Sequence, residues 1–312
     1  MLDTIKYVVE KARLVKINKK ILEEFVSNLN VQDINISLNE RSFMPLRSLE
    51  DKVNLLFIFS CINFAFWIHG KDNKQNKTFG MARSGILLES IFELFFKKRT
   101  QPLGTAMSEI SLNEFNSALN SRINISLMNE RLHNVREAGL ILIYKYNHSY
   151  NNVLKEAYYD VSKALSLTIK NFPSFDDRAL FQGKEIEFHK RAQVLLGSIS
   201  KITKNTLTLV NVDKLLGGAD YRIPQLLRHL KILEYSEPLA RKVDDEELLL
   251  SGSNEEIEIR ACTLWVIHLM RNMYNRYFKE KINPIELDGY LWRFSGTIRG
   301  IKPHHRVISI NY

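Results

Sequence analysis

Gly217-Gly218-Ala219-Asp220-Tyr221-Arg222-Ile223-Pro224-Gln225 sets an acid between small residues and an aromatic, just ahead of a proline able to open a helix in its first turn. Such a joint holds a carboxylate on a short turn beside a helix N-terminus. The two glycines allow another group to approach closely, and the helix dipole favours negative charge or a bound anion there. The same spacing also describes a plain helix–turn–helix in which Asp220 is only a cap. Its neighbours along the chain decide what the joint is for.

Helical spacing dominates on both sides of this stretch. Ile5, Val8, Val9 and Ala12 recur at it, as do Ile21, Leu22, Phe25, Val26 and Leu29. Val53 to His69 is apolar on every side and reads as a buried element ending in Asn63-Phe64-Ala65-Phe66-Trp67. Helices are expected over 85–96, 128–146, 153–170, 186–199 and 224–233, with Ser111 capping another. Ser253-Asn254-Glu255-Glu256 reads as a capping box opening a long helix to Tyr277, and Pro284 opens a last one. Gln32 to Arg47 and Gly70 to Thr78 are polar connections. No repeat or sustained alternation occurs, so the expectation is a mainly α fold with at most a few short strands, for instance around Lys77–Arg83 or Val307–Ile310. An N-terminal helical region, 1–180, would carry the NFAFW element and 181–312 the Asp220 turn, the two forming one compact unit.

A chain of 312 residues supports a large core, and 44 basic against 35 acidic residues give +9. The distribution matters more than the total. Lys184 to Lys231 and Gly289 to Tyr312 are basic, whereas Asp244 to Glu258 carries seven acids and no base. That arrangement fits a local anion site better than a continuous nucleic-acid track. Cys61 and Cys262 lie in apolar runs without metal-ligand spacing, which disfavours a disulfide framework and a zinc site. The apolar run at 53–68 contains Asn54 and Asn63 and is short for a membrane span, so a cytoplasmic protein is expected.

Asp220 and Asp288 each stand near a helix start with aromatics following. Two carboxylates facing one cleft suit glycosidic chemistry: one stabilises a cationic sugar, the other binds or protonates the leaving base. His189-Lys190-Arg191 reads either as a phosphate clamp or as a solvated helix face, and Phe66 and Trp67 either as a stacking surface or as core. The sequence has no GxxxxGK loop, no HExxH and no nucleophile elbow, which argues against an ATPase, a zinc hydrolase and a serine hydrolase.

Taken in order, these segments resemble the queuosine salvage proteins, queuosine 5′-phosphate N-glycosylases distantly related in fold to helix-hairpin-helix DNA glycosylases. Asn63-Phe64-Ala65-Phe66-Trp67 resembles the family's NFxFW, and Phe188 to Gln193 its FxKRAQ element. Ala219 to Gln225 resembles ADYRxPQ, and Glu256 to Trp265 resembles EVEIRGCSLW. Leu287-Asp288 with Tyr290-Leu291-Trp292 resembles LDYYLW, and His305-Arg306 the terminal HR. The resemblance implies hydrolysis of a queuosine nucleotide to queuine and ribose 5-phosphate without metal or cofactor. It makes Asp220 the catalytic carboxylate and Asp288 a ligand of the 7-deazaguanine, with Tyr221, Trp292, Phe66, Lys190 and Arg191 in the substrate site. No membrane and no stable nucleic-acid partner is implied.

Two departures bear on substrate choice. Gly218 stands where the family commonly has an aromatic, which implies a missing stacking wall. Arg293 stands where it commonly has an acid, which disfavours a cationic base substituent. A different deazaguanine nucleotide is therefore the alternative substrate, and a nucleic-acid-binding module the alternative of another class.

Overall fold

The computed structural model describes residues 1–30, 34, 48–67, 80–97, 99–120, 123, 125–204 and 206–312. In chain order they form α1 (Leu2–Lys11), β1 (Val15–Ile17), α2 (Lys19–Ser27), α3 (Leu49–Ile62), α4 (Gly80–Phe92, continued by a π turn), α5 (Leu103–Glu109), α6 (Leu112–Asn120) and α7 (Met128–Tyr146). Then come α8 (Asn151–Glu156), α9 (Val161–Asn171), the hairpin β2 (Arg178–Phe181) and β3 (Lys184–Glu187), and α10 (Lys190–Thr203). The remainder is α11 (Arg222–His229), β4 (Leu233–Tyr235), α12 (Glu237–Asp244), β5 (Leu248–Leu249), α13 (Asn254–Tyr277), α14 (Pro284–Ser295) and β6 (Arg306–Val307). The fold is mainly α. Among the described residues the strands make three two-stranded sheets, and no helix is long and apolar enough to cross a membrane.

Capping explains many of the boundaries. Ser48 accepts the Asp51 amide at 3.0 Å and starts α3. Ser111 and Glu114 exchange main-chain amides in a true capping box at α6. Ser253 accepts the Glu256 amide at 3.4 Å, but the Glu256 carboxylate takes the amide of Gly252, so only half of the expected box forms there. A second full box sits at α14, between Asn283 and Glu286.

Several expected elements are shorter or interrupted. The segment at 153–170 breaks at Tyr158 and Tyr159, both with positive φ, and Asp160 caps a new helix by accepting the Ser162 and Lys163 amides. The helix expected over 186–199 begins only at Lys190. The Asp177 carbonyl accepts the amides of Phe188 and His189, and its carboxylate takes that of Lys190, which holds the preceding residues in a hairpin. The helix expected over 224–233 spans Arg222–His229 and gives way to β4. Of the strand considered near Lys77–Arg83, residues 80–83 are helical and 77–79 lie outside the described residues, as do nearly all of the two polar connections. The strand expected at Val307–Ile310 is reduced to Arg306–Val307.

Burial divides among three clusters. One gathers α3 to α9 with the inner face of α10, including Phe57, Leu142, Tyr150, Phe172 and Leu196. A second gathers α2, α11 to α14 and β4, including Leu22, Leu226, Val266 and Leu291. A third seals α1 against the hairpin and α13 through Ile5, Val8, Ile186, Phe188 and Leu264. Both cysteines are buried thiols. α13 runs through the middle: it touches α1, α2, β1, α11 and α14. β1 pairs antiparallel with β4, and β5 parallel with β6, so the chain's early and late segments are stitched together.

Candidate active site

Gly217 has φ +103°, a backbone conformation that suits glycine, and it turns the chain so that the Gly218 amide points at α14. There Asp288 Oδ1 accepts that amide at 2.7 Å. The Gly218 carbonyl in turn accepts the Asp220 amide at 2.8 Å. One residue, Gly218, therefore organises both acids. The Asp220 carboxylate turns toward α11, where Oδ1 accepts the Arg222 and Ile223 amides at 2.8 and 3.0 Å. Asp220 is thus a helix cap, and it is also 8% exposed beside a second acid. The capping reading holds, and capping occupies only Oδ1 of the carboxylate.

Electrostatics acts strongly on Asp288. Burial pushes Asp288 up to about 7, against the pull of the Gly218 amide; the charge of Asp220 raises it further, while Lys201 and Lys190 oppose the rise. Lys190 is buried and its ammonium is held below the ordinary lysine range, chiefly by desolvation and in spite of Asp220 and Asp288. Its Nζ lies 3.5 Å from the Asn63 carbonyl, which ties the pair to the NFAFW element.

His189-Lys190-Arg191 is not a solvated face: all three are buried. Nor is Arg191 arranged as a phosphate clamp. Its guanidinium donates to the carbonyls of Ser60 at 3.1 Å, Cys61 at 2.9 Å and Ser174. Arg131 donates likewise to Ile62, Phe64 and Ala65, and Asn134 to Cys61. The last carbonyls of α3 are thus satisfied by two buried cations and an amide, as a helix C-terminus favours. The Phe64 ring lies between the same guanidiniums, at 4.2 Å from Arg131 and 5.4 Å from Arg191. Arg131 carried no motif signal, and a buried arginine in a helix reads from sequence as a surface residue.

Phe66 is buried in the first cluster, 5.8 Å from the Arg131 guanidinium, and its main chain meets the Tyr221 hydroxyl. Tyr221 is buried, its ring 4.4 Å from that of His304. Trp292 is half-buried, with the Arg222 guanidinium 5.6 Å over its ring. Trp67 has His304 at 6.3 Å and Arg306 at 5.8 Å. These aromatics frame the Asp220 turn, and several already have partners on one face.

Gly218 leaves no gap in a wall. A Cβ there would lie 2.7 Å from Val194 Cγ2 and 3.4 Å from the Lys190 stem, so α10 fills that direction. Sequence reading missed Val194 because it lies outside the motif, directly after Gln193. It missed Lys201 for the same reason: its Nζ sits 2.9 Å from where a Gly289 Cβ would be, with Arg293 3.4 Å from the same point. Arg293 also donates to the Ile34 carbonyl at 3.2 Å. Among the described residues no group of three His, Cys, Asp or Glu side chains is disposed to hold a metal ion.

Below this layer a buried ion pair fixes α10. Arg260 of α13 binds both oxygens of Asp177, at 3.0 and 2.5 Å, between the rings of Phe188 and Tyr312. The Tyr312 carbonyl accepts the Ala65 amide at 3.0 Å, closing the NFAFW element.

A family model described as queuosine salvage protein matches residues 43–312. The chain is similar to the queuosine 5′-phosphate N-glycosylase/hydrolase of Bos taurus, 30% identical over 84% of this chain and 82% of that protein. It is 26% identical to the protein of the same description from Sphaerobacter thermophilus, over 100% of this chain and 97% of that one. A third, from Schizosaccharomyces pombe, is 27% identical over 81% of this chain and 78% of its own length.

Proposed function

The chain belongs to the queuosine salvage protein family, and we propose that it hydrolyses the N-glycosidic bond of queuosine 5′-monophosphate, releasing queuine and ribose 5-phosphate. The observation that carries this reading is the pair of unlike carboxyls gathered by Gly218, one capping a helix and the other raised to about 7. As the C–N bond lengthens, positive charge grows on the ribose. Asp220, with Oδ1 fixed by two amides, offers Oδ2 to that charge or to the attacking water. Asp288 holds a proton to higher pH than an ordinary carboxyl and so donates to the departing base, whose negative charge grows as it leaves. Lys190, between the two, keeps the site from accumulating two uncompensated negative charges.

The substrate in this reading is a nucleotide in a pocket of a cytoplasmic protein, not a polymer on a basic track. Incubation with queuosine 5′-monophosphate should release queuine, detected by chromatography, and Asp220→Asn should abolish it. Salt-sensitive binding to oligonucleotides with no base released would sink the assignment.

A further inference from the structure

We infer that Lys201 and Arg293 together form an anion subsite beside Asp288, one that takes a phosphate or carboxylate of the substrate. The inference rests on the glycosylase reading for its substrate but on independent geometry for its existence. Lys201 closes α10 and Arg293 lies one helical turn beyond Gly289 on α14. The absence of a side chain at Gly289 lets the two cationic groups meet across it, at 2.9 and 3.4 Å from its missing Cβ.

Among the described residues the hydrogen bonds of both go to neutral carbonyls, Lys201 to Ile285 at 3.4 Å and Arg293 to Ile34 at 3.2 Å. Burial holds both below their ordinary ranges, and Arg293 adds to the effect on Lys201. Asp288 and Glu286 pull the other way on Lys201. Asp288, however, is itself held near 7 and shared with Lys190, and the Glu286 carboxylate accepts the Asn283 amide at 2.8 Å. Two half-buried cations brought together repel each other, and a bound anion removes that cost. Both remain partly exposed, so a ligand can reach them.

A substrate offers this chemistry from two sources: the 5′-phosphate on the ribose, or an acidic substituent on the base. The first arm of the test titrates ribose 5-phosphate and ribose into the full chain by calorimetry. The second compares base release from 7-deazaguanosine 5′-monophosphates bearing ammonium, neutral or carboxylate groups at the 7-position. Lys201→Met and Arg293→Met should each weaken the anionic ligand about tenfold to a hundredfold. Lys201→Arg and Arg293→Lys should largely restore it, and the melting temperature identifies any variant that fails to fold.

Weakened ribose 5-phosphate binding assigns the phosphate. In that case Arg293→Asp lowers activity on every monophosphate. Selective loss on the carboxylate-bearing base assigns the substituent, and Arg293→Asp then raises activity on the ammonium-bearing one. Folded Met variants that treat all these ligands as the wild type does overturn the subsite. If no nucleotide releases base while the Met variants lose ribose 5-phosphate, the subsite stands and the glycosylase reading falls.

Discussion

Asp220 and Asp288 are joined through a single residue, Gly218, whose carbonyl accepts the amide of the first and whose amide binds the carboxyl of the second. The two acids come from segments nearly seventy positions apart, yet any movement of that residue's backbone displaces both.

Charge and capping at Asp220 can be separated. An asparagine keeps an Oδ1 able to accept the Arg222 and Ile223 amides, whereas alanine does not. Asp220→Asn should leave stability within about 0.5 kcal/mol of wild type, and Asp220→Ala should cost about 1 kcal/mol. Both should lower kcat about a hundredfold or more. Denaturant melts and single-turnover base release check the two halves.

The Asp288 carboxyl gives a pH dependence with a definite sign. Its folded-state value, about 7, lies above the ordinary 3.8. The stability it supports is therefore fully present below the ordinary carboxyl range and is lost as pH rises through about 7. Activity that needs its proton falls over the same rise. Asp288→Asn should remove this stability slope between pH 4 and 8, measured by urea unfolding, and should abolish the alkaline limb of the rate profile.

The Arg260–Asp177 pair is buried and doubly hydrogen-bonded. Arg260→Met strands the buried Asp177 carboxylate and should cost about 3–5 kcal/mol in chemical denaturation, and Asp177→Asn, which leaves Arg260 only Glu256 at 3.6 Å, should cost somewhat less. Combining the two should cost less than the sum. A strictly additive double variant would show that the pair is not coupled.

Arg131 acts through its planar fork, which reaches the carbonyls of Ile62, Phe64 and Ala65 at once. Lysine has no such fork, so Arg131→Lys should not rescue the loss of several kcal/mol expected of Arg131→Met. Thermal unfolding of the two variants side by side tests this.

Gly218→Ala should be destabilising by about 1–3 kcal/mol because its Cβ would press on Val194 Cγ2. Val194→Ala removes that atom and should recover much of the loss in the double variant. Equal cost with and without Val194 would place the strain elsewhere.

Much of the helical architecture was legible in the sequence. Apolar spacing placed α1, α2 and α7, and an all-apolar run gave α3. The Asp220–Asp288 pairing was not legible, because residue spacing carries no information on which segments meet; only the motif order suggested it. Spacing also misled at 186–199. There the Asp177 carbonyl and carboxylate impose a hairpin on residues that read as helical. Spacing left Lys190 and Arg191 open between a phosphate clamp and a solvated face for a similar reason: what buries them is carbonyls and acids supplied by distant segments.

The stitching of early to late segments also governs when the site comes into being. Ala65 finds its partner at Tyr312, β1 waits for β4, and β5 waits for β6. Such long loop closures are slow, and during synthesis none can form until the far strand has emerged. A nascent chain can therefore assemble its first cluster early and yet remain without a finished site until Tyr312 has emerged.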